Sequence, residues 1–277
     1  MWGALALFTD MTAGIPPFQL VAMTFPLAFA LAACKWIFGR EDIRAHFAFP
    51  PAVWVLGIGG LFGYHFFYFM ALKNAPAVDA SLIAYLWPLL IVVFSAFLPG
   101  ERLRWFHLAG ALLGFGGSVL LVTDGGAAQF QLEYALGYAA ACACALTWST
   151  YSVLSRRFAA VPTDTVGWFC GATAILGMVC HLAFEETVWP QGTAEWLAVA
   201  ALGLGPVGAA FFAWDIGMKR GNIRMLGVFS YAAPLISVLL LILFRGAPAT
   251  ISIGIACAAI VGGALLASTE ILTGRKV

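Results

Sequence analysis

Hydrophobic positions along this chain gather into runs of about twenty residues, and the polar positions fall between the runs instead of alternating within them. Apolar segments cover roughly 1–9, 17–38, 51–72, 78–98, 106–122, 134–154, 165–184, 196–214, 225–244 and 251–271. A run of that length carries a helix across about 30 Å of hydrocarbon, and the alternating ten-residue strands of a membrane barrel are not seen. Turn formers punctuate the runs, among them Gly14-Ile15-Pro16-Pro17, Gly39-Arg40-Glu41-Asp42, Asn74-Ala75-Pro76, Asp124-Gly125-Gly126, Gly221-Asn222 and Arg245-Gly246-Ala247-Pro248. The pattern predicts an all-α integral membrane protein with ten transmembrane helices. The first is short, and it lacks the basic stretch that opens a cleavable signal.

Composition sharpens this. The chain is 62% hydrophobic and 10% charged, against about 25% charged residues in a globular domain, so its surroundings are a lipid bilayer. A net charge of +1 leaves no electrostatic footprint for nucleic acid. Cys34, Cys142, Cys144, Cys170, Cys180 and Cys257 all lie in apolar runs. They read as small packing residues rather than a disulfide or metal set, and no metal or cofactor is expected.

The placement of charge gives an orientation. With the loops numbered alternately, one set holds Lys35, Arg40, Arg44, Arg102, Arg104, Arg156, Arg157, Lys219, Arg220, Arg224, Arg275 and Lys276, and the other only Lys73 and Arg245. The rich side faces the cytoplasm by the positive-inside rule, which puts the C-terminus inside.

An internal repeat holds one offset of 146 residues: Trp2 matches Trp148, Pro16 matches Pro162, Gly57 and Gly59 match Gly203 and Gly205, and Lys73 matches Lys219. Tyr85 and Pro88 likewise match Tyr231 and Pro234, and Gly116-Gly117 match Gly262-Gly263. The copies are 1–131 and 132–277. Each holds five helices, an odd number, so they enter the membrane from opposite sides as an inverted repeat around a central cavity, the plan of many transporters. Trp148 follows fourteen residues of its own helix whereas Trp2 follows only Met1, so the first helix is expected to lack most of its cytoplasmic half.

Five-plus-five inverted helices, with ALKNAPAVDASLIAYLWPLL over 71–90 and then Pro99-Gly100-Glu101-Arg102-Leu103, resemble the drug/metabolite transporter superfamily in its EamA-type branch, over the whole chain. The Trp2-Gly3 start, the Gly63-Tyr64-His65 step and the Tyr85-Leu86-Trp87-Pro88 step are similar to bacterial inner-membrane exporters of aromatic and other amino acids within that branch. The resemblance implies such an exporter, working by alternating access. Where the family carries a second Gly-Glu step, this chain has Gly246-Ala247, so the two copies are not expected to play equal roles there.

The residues themselves point to a site in the same stretch. Tyr64, His65 and Tyr68 share one helical face. Pro88 denies the Ala84 carbonyl its helical donor, and Pro234 does the same to Ser230, which suggests two broken helices offering carbonyls to an ammonium group. Tyr85, Trp87, Trp148, Trp214 and Tyr231 would complete the walls, with hydroxyls, indole N–H groups and His65 as donors to a carboxylate. Gly63 and Gly208, with Pro88 and Pro234, are candidate bending points; close helix packing explains the glycines equally well. Gly110, Gly114 and Ser118 in the fifth segment and Gly254, Ala258 and Gly262 in the tenth form small-residue seams. Asp10, Asp79 and Asp215 read as helix-end groups. Trp54, Trp105, Trp189 and Trp196, near loop ends, read as interfacial anchors.

No Asp or Glu lies mid-span, so uncoupled, facilitative transport is expected, with proton antiport through His65 the alternative. An intramembrane enzyme would need a paired acid, a nucleophile with its base, or clustered metal ligands. The histidines His46, His65, His107 and His181 are instead scattered. Another small metabolite or a drug remains an alternative substrate. Phosphorylated ones would require basic residues in the cavity.

Overall fold

The structure, a computed structural model, describes residues 1–40, 48–126, 130–246 and 248–269. Its α-helices are α1 (Leu5–Met11), α2 (Pro17–Gly39), α3 (Pro51–Asn74), α4 (Ala77–Ala84), α5 (Trp87–Ser95), α6 (Trp105–Thr123), α7 (Ala135–Ser155), α8 (Thr165–Phe184), α9 (Thr193–Leu204), α10 (Ala210–Arg220), α11 (Ile223–Phe229), α12 (Ala232–Arg245) and α13 (Ile251–Ala267). No strand occurs among the described residues. Arg44, His46, Ala247, Arg275, Lys276 and the end of the last apolar segment lie outside them.

Seven stretches among the described residues are long and apolar enough to cross a membrane: α2, α3, α4 with α5, α6, α8, α9 with α10, and α11 with α12. The protein is a multi-pass membrane protein. Helix α13, at 17 residues, is shorter. Helix α7 has the length, 21 residues, but carries Thr147, Trp148, Ser149, Thr150, Tyr151 and Ser152 in one run. Ser149 and Ser152 are fully buried, so the polarity of this helix is turned inward.

The chain forms two compact units, Met1–Gly63 with Leu154–Arg220, and Tyr64–Val153 with Gly221–Val277. Each draws helices from both sequence copies.

In the first unit α2 lies against a glycine stripe on α8. A Cβ at Gly167 would come within 2.3 Å of the Ala32 Cβ, and one at Gly177 within 2.7 Å of Val21. Trp36 and Trp168 stack 5.0 Å apart, beside a Lys35–Asp164 ion pair. At the other end Glu185 accepts the Phe18 and Gln19 amides at 2.9 and 3.0 Å. Those donors follow Pro17 in the first turn of α2, where a carboxylate also complements the helix dipole.

Asp215 corrects its sequence reading as a helix-end group. It is 3% exposed, paired to Lys219 at 2.8 Å and bonded by the Thr163 hydroxyl at 2.7 Å. Lys219 also donates to the Val161 carbonyl at 2.9 Å. An acid and a base one turn apart neutralise each other, and together they tie α10 to the connection before α8. Asp79, in the second unit, is buried as well. It accepts the Tyr138 hydroxyl at 3.0 Å.

The second unit is organised on α6 against α13. A Cβ at Gly110 would meet the Gly263 carbonyl at 2.5 Å, and one at Gly117 would meet Ile260 at 2.8 Å and the Ala256 carbonyl at 2.9 Å. The small-residue seam exists, but on α13 its face is Ala256, Ile260, Gly263 and Ala267. Gly254 has no neighbour within 4 Å of such a Cβ, and Gly262 meets only Leu113, at 3.7 Å. The packing reading of the cysteines holds for Cys144 and Cys170, which are buried, whereas Cys34 and Cys142 lie on exposed faces.

Gly110→Val, which drives a side chain into the facing backbone, is expected to cost roughly 1–3 kcal/mol. Gly254→Ala is expected to stay within about 0.5 kcal/mol of the parent. Melting temperatures in detergent compare the two; equal losses would contradict the seam.

Candidate functional site

The expected helix breaks are present, one turn from their prolines. The fourth apolar segment is interrupted at Tyr85-Leu86, between α4 and α5, and the ninth at Ser230-Tyr231, between α11 and α12. Pro88 stands in the first turn of α5 and Pro234 in that of α12, where a missing N–H is tolerated.

Around the first break, within the second unit, the structure assembles an aromatic cluster. Tyr64 stacks on Tyr68 with ring planes 3° apart and meets His65 edge-on at 5.3 Å. Trp148 of α7 lies 5.3 Å from Tyr64 and 6.3 Å from Trp87. Tyr85 is within electrostatic reach of Tyr64 and Tyr68, and the Tyr68 hydroxyl is 3.4 Å from Ser81 Oγ. Six of the eight residues expected to bind substrate are thus brought together. Trp87 and Trp148 are nearly enclosed. Tyr64, His65, Tyr68 and Tyr85 are half-buried.

The other candidates are placed differently. Tyr231 is fully buried and uses its hydroxyl on backbone, donating to the Tyr85 carbonyl at 3.3 Å and accepting the Leu89 amide at 3.1 Å. Trp214 belongs to the first unit, 4.9 Å from Trp2. Gly63 lies inside α3, which runs unbroken from Pro51 to Asn74. Gly208 does mark an interruption, the π-helical turn Gly205–Ala209 between α9 and α10. The Ser230 carbonyl, expected to be freed by Pro234, accepts the Ala233 amide at 3.0 Å, because the turn tightens to an i→i+3 bond. Pro88 has no N–H, so Ala84 keeps the carbonyl that lacks its helical donor.

Two residues of these clusters escaped the sequence reading. Tyr151 packs on Trp148 at 5.3 Å, and its spacing of three from Trp148 was a usable signal. Trp2 donates its indole N–H to the Pro206 carbonyl at 2.9 Å, closing the π turn in the first unit. Nothing local to either residue announces that pairing.

A family model described as the EamA-like transporter family matches residues 1–123 and 135–269. The chain belongs to the EamA-like transporter family. Among its relatives, the aromatic amino acid exporter YddG of Ancylobacter novellus is 57% identical over 272 residues, covering 97% of this chain and 93% of that one. The aromatic amino acid exporter YddG of Salmonella typhimurium is 25% identical, over 91% and 87% of the two chains. A solved crystal structure, 56% identical, superposes with a TM-score of 0.92 over 99% of this chain and 95% of the other.

The cluster carries groups whose chemistry suits recognition. Phenol O–H groups and an imidazole can donate to an anion, and indole and phenol faces can cover a flat apolar group. One expectation concerns the π turn. Trp2→Phe keeps an aromatic ring but removes the indole donor to the Pro206 carbonyl, and the loss of one such hydrogen bond costs about 0.5–1.5 kcal/mol. A melting temperature unchanged by Trp2→Phe would show that this bond does not hold the turn.

Proposed function

We propose that the chain exports amino acids, aromatic ones among them, across the bacterial inner membrane by facilitated alternating access. The observation that carries this reading is the cluster of Tyr64, His65, Tyr68, Tyr85, Trp87 and Trp148 beside a broken helix, in a chain of a transporter family. The name of the Ancylobacter novellus relative supports the substrate class. The carboxylate is received by the half-buried phenols and His65. The ammonium group is received by the Ala84 carbonyl, and an aromatic side chain lies against Trp87 and Trp148.

The architecture we propose is ten helices in two inverted five-helix copies, 1–131 and 132–277. It adds α1, α7 and α13 to the seven clear spans. The two segments matched by the family model, 1–123 and 135–269, support that duplication. The basic residues of alternate loops support a cytoplasmic C-terminus. Asp215, held by Lys219 and Thr163, has its charge already neutralised by a partner, which favours facilitated transport over proton antiport.

Uptake and efflux of labelled phenylalanine, threonine and lysine in vesicles of purified protein test the reading. Saturable flux is expected for the parent. In a Trp87→Ala, Trp148→Ala variant we expect a loss of about tenfold or more, since each truncation of an enclosed aromatic removes about 2 kcal/mol or more of contact. No flux of any amino acid would overturn the substrate class and point to another metabolite. Accumulation against the amino-acid gradient, driven by a pH difference alone, would overturn the facilitative mechanism.

A further inference from the structure

The copies place a tyrosine at the same point of their broken helices, Tyr85 and Tyr231, 146 residues apart, yet the two have different fates. Tyr231 is fully buried and Tyr85 is not. The difference is built into the helix behind each. A Cβ on Gly114 of α6 would lie 2.6 Å from Tyr231 Cδ2 and 3.1 Å from its Cγ, so the ring occupies the space that only glycine leaves. The residue equivalent to Gly114 in the second copy is Ile260, which is itself a buried core residue packed with Tyr231 and Leu235. Isoleucine there leaves no slot of the kind Gly114 opens for a tyrosine.

Sunk in that slot, Tyr231 reaches the break of the other copy. In a regular helix the Leu89 amide would donate to the Tyr85 carbonyl, as Leu90 does to Leu86 at 2.9 Å. Here the Tyr231 hydroxyl stands between them, accepting from Leu89 at 3.1 Å and donating to Tyr85 at 3.3 Å. The neighbouring carbonyl, Ala84, has lost its donor to Pro88. Backbone bonds flank the break, Tyr85 to Ser81 at 2.8 Å and Leu86 to Ile83 at 3.1 Å, but the Tyr85 carbonyl and the Leu89 amide are joined only through this side-chain hydroxyl.

We infer that Tyr231 is a positioning residue: its hydroxyl, inserted between the Tyr85 carbonyl and the Leu89 amide, holds the α4–α5 break open and so sets how Tyr85 and Trp87 meet an amino-acid substrate. This rests on the reading of Tyr85 and Trp87 as substrate residues. The bridge also makes the break adjustable. A hydroxyl rotates about its C–O bond and accepts a range of distances, so the two backbone groups stay satisfied while the turn changes pitch.

Tyr231→Phe tests it, because the ring stays wedged beside Gly114 and only the bridge is lost. With the gap still propped open, Leu89 N–H has no acceptor. Hydrogen exchange of peptides covering 85–90 is expected to accelerate by about three- to tenfold while the α6 and α13 peptides keep their protection. In vesicles, half-saturation for phenylalanine is expected to rise by about three- to tenfold with the maximal rate within about twofold, the scale of one or two lost hydrogen bonds. Gly114→Ala, which pushes the whole ring out of its slot, should move half-saturation in the same direction and lower the melting temperature as well. Unchanged exchange over 85–90 in Tyr231→Phe would overturn the bridge. Exchange that rises equally along α6 and α13 would reduce Tyr231 to a packing residue and overturn the inference too. A parent protein without amino-acid flux would overturn the functional reading instead, and the exchange experiment would still decide on the bridge.

Discussion

A backbone carbonyl or amide left bare at membrane depth costs several kcal/mol, and the interruptions in this chain are arranged around that constraint. Three occur within the apolar helices of the described residues: the π turn at Gly205–Ala209 and the breaks at Tyr85-Leu86 and Ser230-Tyr231. At each, a different device satisfies backbone groups of the interrupted turn. Trp2 gives its indole N–H to Pro206. Tyr231 bridges Tyr85 and Leu89. At Ser230 the backbone tightens on itself, with Ala233 bonded to the Ser230 carbonyl and the serine hydroxyl turned back to Leu226 at 2.7 Å. Two of the three devices are long aromatic side chains with one polar atom at the tip. Such side chains can cross an apolar layer to reach a single backbone group.

That constraint also decides what was legible in the sequence. Span existence was legible because it depends on apolar runs, and the breaks because proline lacks an N–H. Helix packing was legible as a stripe but not as a face. Gly110, Gly114 and Ser118 pointed to a seam, yet whether α13 turned Gly262 or Gly263 toward it depends on about 100° of rotation per residue. The stripe Gly167, Gly171 and Gly177 on α8 was there to be found. The burial of Asp215 was not, since its second partner, Thr163, lies 52 residues away. Of the site, the helical pairs Tyr64 and Tyr68 followed from spacing alone, whereas the approach of Trp148 to both Tyr64 and Trp87 joins helices that only folding brings together. The burial of Tyr231 was not legible, because a tyrosine beside a proline-broken apolar segment reads alike at 85 and at 231. Its fate was fixed by Gly114, more than a hundred residues away.

At the constant offset of 146 residues, the chemistry differs at matched positions. Tyr64, His65 and Tyr68 correspond to Ala210, Phe211 and Trp214. The aromatic partner is kept in both copies: Trp148 packs on Tyr64, and its counterpart Trp2 packs on Phe211 and Trp214. What one copy lacks is the hydroxyls and the imidazole. Gly60 corresponds to Pro206, which is why α3 is continuous while its counterpart is interrupted by a π turn. The hydroxyls and the imidazole thus stand in the second unit, beside the α4–α5 break, and the equivalent positions of the first unit carry an alanine and two rings packed on Trp2, so equivalent positions in the sequence have been given different chemistry.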